Sequence, residues 1–218
     1  MKHAHLWKFI ALVEFAIAAV VILLDLFIPT LILLGMTILS LFVRREAITV
    51  LGFKRPQAGL SMIGFVFLVA IFMQLFKVGL LMPILNRLTG STIDYSGFAQ
   101  LEGNLGMLLI LLAASWTLAA LGEEIVYRGY LQKLLGDLFG SRPLGIWLTV
   151  GISSVLFGLA HTEQGMIGVT ITAIDAVIFS WLKFKFGNNL WAAILAHGFS
   201  NSIGVIVFYF TGPIYGLW

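Results

Sequence analysis

The chain has 218 residues, 60% of them hydrophobic and 11% charged, with a mean hydropathy of +1.04. Soluble domains carry about 25% charged residues, so this composition excludes an ordinary soluble globule and points to an all-α, polytopic helical membrane protein. The chain has no Cys, which excludes disulfide and thiolate chemistry; its formal charge is +3 without a dense basic patch, which excludes a nucleic-acid surface.

A crossing helix needs about 20 mostly apolar residues. In chain order, apolar segments fall at about 6–26, 28–43, 60–82, 104–121, 144–161, 165–182 and 189–210. These seven spans become eight if the stretch after Gly122 crosses on its own. The first segment has no convincing small-residue cleavage site and runs straight into the second, so it reads as a retained span. A tight turn is expected at Asp25–Pro29. The interval 44–57 is a short polar loop with room for an interfacial piece, and 86–104 is the longest polar stretch. Neither is large enough to be a domain, so residues 1–218 read as a single transmembrane domain.

The stretch "EEIVYRGYLQKLLGDLFG" differs from its surroundings by mixing apolar and charged residues. Ile125, Val126, Leu131, Leu134, Leu135 and Leu138 recur at roughly helical spacing. The stretch either extends the preceding helix, bends onto the interface, or makes a separate short span. As one helix, 104–138 would be about 50 Å long, against a hydrocarbon core of about 30 Å. A kink, a tilt or a protruding end is therefore expected.

Lys2 and Lys8 precede the first span, and Arg44, Arg45, Lys54 and Arg55 follow the second. The positive-inside rule then places the N-terminus and the 44–57 loop in the cytoplasm. Arg128, Lys133 and Arg142 suggest a second cytoplasmic end after Gly122. Simple alternation from there carries His161 to the face opposite Glu123, and an extra short or re-entrant helix would reunite them.

Several polar residues are candidates for chemistry. Neighbouring side chains on a helix point about 100° apart, so Glu123 and Glu124 serve different surroundings. Glu124 and Arg128 are four apart and can pair, which lowers the cost of either in an apolar setting. Glu123 is left without a local cation, a setting that suits a general base. The plainer alternative is that both glutamates mark a helix end at the membrane surface. His3 and His5 read as solvated tail, whereas His161 and His197 lie in apolar segments. Asn201 follows His197 by four residues, so both reach one point; Phe157 precedes His161 by the same interval and can wall a cavity. A carboxylate with a histidine can activate water, and His and Asn can donate to a developing oxyanion. Those are the parts that shielded peptide-bond hydrolysis needs. Two histidines and a glutamate also suit a zinc shell, although no His-Glu-x-x-His helix is present. No cofactor is assigned; a divalent metal such as zinc, if used, would take Glu123, His161 and His197. Asp175 reads as a cavity-lining or cross-helix residue, Glu163 as a loop or supporting residue, and Glu14 and Asp25 as near-interface carboxylates. Tyr127 and Trp191 fit aromatic residues at an interface. Gly122, Gly129, Gly158 and Gly198 are expected to let helices approach closely.

"EEIVYR" at Glu123–Arg128, "FGLAH" at Phe157–His161 and "HGFSN" at His197–Asn201 occur in that order. They resemble the signature of the CAAX-protease and bacteriocin-processing family of intramembrane proteases, which includes Rce1-like prenyl-protein endopeptidases and abortive-infection-type membrane proteins. The resemblance covers about 104–210, a protease core within the single domain. It implies Glu123 as the catalytic glutamate, His161 as its water-activating partner, and His197 with Asn201 as the oxyanion pair. Glu124 and Arg128 match supporting positions, with Arg128 organising the carboxylates. The implied fold is usually an eight-helix core around an intramembrane polar cavity, with the site nearer the cytoplasm. The implied activity is endopeptidase cleavage of membrane-associated or prenylated CAAX-type proteins, glutamate-dependent although the family was historically classed as metalloproteases. A non-proteolytic membrane binding or immunity-like protein of the same fold is the alternative, and a transporter using the polar cluster is a third. The expected partners are a peptide or membrane-protein substrate and the lipid bilayer. The compact chain without targeting extensions fits a prokaryotic cytoplasmic membrane.

Overall fold

In lipid a backbone can satisfy its N–H and C=O groups only internally, so uncharged runs of this length become helices. The computed structural model describes residues 2–55 and 59–217, with side chains from His5 onward. Seven helices carry most of the described residues: α1 (Lys2–Leu23), α2 (Pro29–Arg44), α3 (Gly59–Thr89), α4 (Leu105–Phe139), α5 (Pro143–Leu159), α6 (Gly165–Lys185) and α7 (Leu190–Thr211). Among the described residues there is no strand. Five of the helices, α1, α3, α4, α6 and α7, are long and apolar enough to cross a membrane, and α2 and α5 are shorter apolar helices. The outer surface is apolar: Phe42, Leu60 and Phe210 are exposed, while Glu124, Arg128, Lys183 and Ser180 are buried.

Local chemistry sets the helix ends. Asp25 and Phe27 take left-handed conformations in the turn after α1, and Pro29 opens α2, where its missing N–H has no cost. Asn104 caps α4 by accepting from the Met107 N–H, and Asn189 caps α7 by accepting from the Trp191 N–H. The expected interfacial piece after α2 is a 3-10 turn at Ile48–Leu51. The end of that loop, Pro56 and Gln57, lies outside the described residues, as do the side chains of Lys2 and His3. On the opposite side, the 90–104 interval is tied to its surroundings. Asp94 N–H donates to the Gln164 carbonyl and Gly103 N–H to the Tyr209 carbonyl. The Ser96 N–H donates to the Asp94 carboxylate and holds it below the usual carboxylate range.

The stretch after Gly122 continues its helix: α4 is unbroken over 35 residues. Its length is accommodated in two ways. Ser115–Glu123 and Ile125–Leu131 are wound as π-helix, wider and shorter per residue than an α-helix. The last turns leave the apolar zone, where Lys133 pairs with Glu46 at 3.0 Å and Asp137 at 3.1 Å, and Arg44 pairs with Asp137 at 3.2 Å and Glu14 at 2.9 Å. A shorter π stretch, Lys77–Leu81, precedes Pro83 in α3, where the proline removes a helical donor.

Arg128 drops out of the charges that mark a helix end. It is 1% exposed, so it does not mark an aqueous end. α4 and α5 form an antiparallel hairpin in which Tyr127 meets Phe157 at 4.9 Å and the Arg128 guanidinium lies 4.3 Å over the Phe157 ring. One turn back along α4 is Glu123, and one turn onward past α5 is His161. The hairpin therefore brings the two to similar depth without a re-entrant helix. The seven described helices also fall one short of the eight that the resemblance implied.

Close approaches occur where the glycines predicted them. A Cβ on Gly158 would lie 2.6 Å from the Val169 carbonyl oxygen and 2.8 Å from the Ala173 Cβ, so α5 and α6 meet backbone to backbone. Gly198 lies under the Trp116 indole, Gly122 faces Thr30, and Gly129 faces Leu51.

Candidate active site

Glu124 is the centre of the buried polar cluster. Its Oε1 accepts from Arg128 Nη1 at 2.9 Å and from His197 Nδ1 at 2.9 Å, and its side chain has 0% exposure. The first bond joins residues four apart on α4, and the second brings in α7. A carboxylate can only accept, so Nδ1 of His197 carries a proton and its Nε2 faces the site. The Arg128 guanidinium lies between the rings of Phe157, at 4.3 Å, and Phe179, at 5.3 Å. Phe179 also stacks on the His197 ring at 5.0 Å. Phe157 is thus a plate under the arginine as well as a wall.

Glu123 points away from that pair. Its side chain keeps 17% exposure, and its Oε2 lies 4.0 Å from His197 Nε2. Glu123 Oε2, Glu124 Oε2 and Arg128 Nη2 are buried without a hydrogen-bond partner among the described residues. The chargeable groups acting on Glu123 include His197, His161, Glu124 and Arg128.

His161 sits just beyond α5, with Nδ1 at 2.8 Å from the Phe157 carbonyl oxygen and its ring 4.7 Å from the Phe157 ring. A carbonyl only accepts, so Nδ1 carries a proton, and in the neutral imidazole Nε2 is the nitrogen with the lone pair. Asn201 lies one turn beyond His197 on α7 and is half-buried. It hydrogen-bonds to none of the described residues through its side chain. Among the described residues, no group of three or more His, Cys, Asp or Glu side chains is arranged to hold a metal ion. Each histidine commits its Nδ1 to a protein acceptor, His161 to the Phe157 carbonyl and His197 to Glu124.

Other expectations resolve into structural roles. Asp175 bonds across helices, pairing with Lys77 at 2.8 Å; Lys77 also lies 3.5 Å from Ser200 Oγ, and Gln74 donates to the Ser200 carbonyl at 2.6 Å. That cluster ties α3, α6 and α7 together one turn from His197 and Asn201. Glu163 is an exposed residue of the turn after His161 and accepts from Gln164. Glu14 pairs with Arg44, and Asp25 is exposed in its turn. Tyr127 is buried against Phe157 rather than placed at an interface. Two open hollows, of about 520 Å³ beside Leu41–Glu46 and about 650 Å³ between 92–102 and 208–215, lie away from Glu123.

Lys183 was not legible as a site neighbour. With Lys185 it reads as a basic pair in the last turn of a helix. Two residues of spacing point the pair in opposite directions. Lys185 lies over Phe65 and Trp181, whereas Lys183, 4% exposed, donates to the Arg128 carbonyl and to Gln132 Oε1 at 3.3 Å.

Residues 105–203 match the model of a protein family described as Type II CAAX prenyl endopeptidase Rce1-like. All three motifs lie within that stretch. No curated protein and no solved structure matches the chain.

Proposed function

Because residues 105–203 match the Type II CAAX prenyl endopeptidase Rce1-like family model, we propose that the chain is an intramembrane endopeptidase acting on membrane-associated or prenylated CAAX-type proteins. The observation that carries this reading is the divided labour of the two glutamates. Glu124 is fixed between Arg128 and His197, while Glu123 stays partly exposed, with Oε2 4.0 Å from His197 Nε2. That separation is too long for a hydrogen bond and is one that a single water can bridge.

In the proposed reaction, the oxygen of a water attacks the scissile carbonyl carbon. Glu123, with the free Nε2 of His161, takes the proton that the water loses. The carbonyl electron pair moves onto oxygen, giving a tetrahedral oxyanion. The Asn201 amide is the proposed donor to it. His197 can donate to the oxyanion only when its ring carries a proton on both nitrogens, because Glu124 already holds Nδ1–H. Collapse re-forms the carbonyl and breaks the C–N bond, and the stored proton passes to the leaving nitrogen. Arg128 holds Glu124 in place without touching substrate. The face at which α1 starts is proposed to be cytoplasmic, in a prokaryotic cytoplasmic membrane.

The test compares protein termini in membranes that contain wild-type protein or Glu123→Ala at equal abundance. The reading expects a set of new peptide termini present only with the wild type. Identical termini from abundant, folded wild type and variant would contradict it.

A further inference from the structure

We propose that Lys183 is a positioning residue of the glutamate–histidine centre, holding open the wide turn of α4 that keeps Arg128 on Glu124 and Glu124 on His197. In kinetic terms this rests on the endopeptidase reading; in structural terms it stands alone.

One backbone amide of α4 departs from the α-helical pattern. In an α-helix the N–H of Gln132 would bond to the carbonyl four residues earlier, that of Arg128. Here it is directed to the Tyr127 and Gly129 carbonyls instead, passing over Arg128. The Lys183 ammonium, reaching across from α6, donates to the Arg128 carbonyl in its place. The same ammonium donates to Gln132 Oε1 at 3.3 Å, and Gln132 Nε2 donates to Ser153 Oγ at 3.2 Å and Ser180 Oγ at 2.8 Å. The exit of the π stretch is therefore gripped from α5 and α6 at its backbone and at its next side chain.

Burying an ammonium is costly unless it is hydrogen-bonded and balanced by charge. Lys183 lies in the last turn of its helix, two residues from Lys185, yet it turns inward. Glu124 acts on both Lys183 and Arg128, and Glu123 acts on Arg128, so the buried carboxylates offset the two basic groups. An ionisable group kept inside an apolar bundle calls for a functional reading.

The consequence for the site follows from helix geometry. Closing the wide turn to an α turn would return the Gln132 N–H to the Arg128 carbonyl. The preceding segment would then rotate by about 100° relative to the following one. Glu124, which meets His197 Nδ1 at 2.9 Å, would turn off α7. Lys183 does not contact the reacting atoms; it acts through Arg128 and Glu124.

The test uses the full-length protein in lipid nanodiscs with two readouts. The first is the low-field proton resonance of the His197 Nδ1–H bonded to Glu124, assigned by its loss in His197→Gln. The second is the split of kcat against KM for peptide cleavage. Lys183→Met is expected to shift or abolish the resonance and to lower kcat by about 10-fold or more with KM within about 2-fold. Lys183→Arg, which keeps a cationic donor, is expected to restore both. Should Lys183→Met not fold, Gln132→Leu removes the second grip while leaving the charge, and the same two changes are expected. A folded Lys183→Met or Gln132→Leu protein with an unmoved resonance and unchanged kcat overturns the proposal. If wild type cleaves no peptide, the endopeptidase reading fails, while the resonance still decides the role of Lys183.

Discussion

At Glu124 one carboxylate oxygen takes two bonds, from Arg128 and from His197, with no access to water. Removing one partner of such a buried pair leaves the other charge unpaired, at a cost of about 3–5 kcal/mol. Glu124→Ala is therefore expected to lower unfolding free energy by about that amount, read by reversible denaturant unfolding in mixed micelles. Glu123→Gln removes no hydrogen bond and is expected to change stability by less than about 1 kcal/mol. The two neighbours should thus separate in opposite ways, one chiefly in stability and one in activity. Equal stability losses would contradict the assignment. The Glu124–Arg128 pair was legible because four-residue spacing on a helix is a local geometric rule. The His197 bond to Glu124 was not, since its 73-residue separation is closed only by tertiary packing. Lys183 stayed hidden for the same reason, and its last-turn position carried a sufficient ordinary explanation.

Among the elements, α4 carries Glu123, Glu124 and Arg128, half of the site, and its winding is what the pattern of apolar residues does not record. Ile125, Val126, Leu131, Leu134 and Leu135 fit a helix, but in a bundle they do not distinguish a 3.6-residue turn from a wider one. The length of the run was legible, and so was the need for a kink or a protruding end. Which solution was used depends on Glu46, Lys133 and Asp137 meeting beyond α2. The contact of α5 with α6 was better signalled, through Gly158. Gly158→Val would drive side-chain atoms into the Val169 carbonyl and Ala173, and such overpacking costs about 1–3 kcal/mol. Gly151, on the same helix, has no atom within 4 Å of an added Cβ and is exposed, so Gly151→Val is expected to cost under about 1 kcal/mol. Thermal unfolding of the two variants in one detergent checks the contrast; equal midpoints would contradict the close α5–α6 approach.

For the whole molecule, seven helices place the 44–55 loop and the 90–104 interval at opposite ends of the bundle. The chain has no Cys, so single replacements report without background. Lys54→Cys is expected to react with an impermeant thiol reagent from one side of the membrane alone, the cytoplasmic side in the proposed orientation, and Asp94→Cys from the other side alone; labelling of both from one side would contradict a crossing by α3. Hydropathy made the spans legible because each is a long uncharged run. Arg128 misled the charge count, which treats every arginine as solvated, whereas this one is paired inside the bundle. The proposed activity is hydrolysis of a peptide bond by the assembled protein. It is tested most directly with purified protein in liposomes and a prenylated CAAX-type peptide, comparing wild type with Glu123→Gln. Wild type is expected to hydrolyse the peptide, and Glu123→Gln to be slower by about 10²–10⁴-fold, the contribution of a positioned general base, with its unfolding midpoint unchanged. A folded wild type that cleaves no peptide, or Glu123→Gln working at the wild-type rate, would contradict the account.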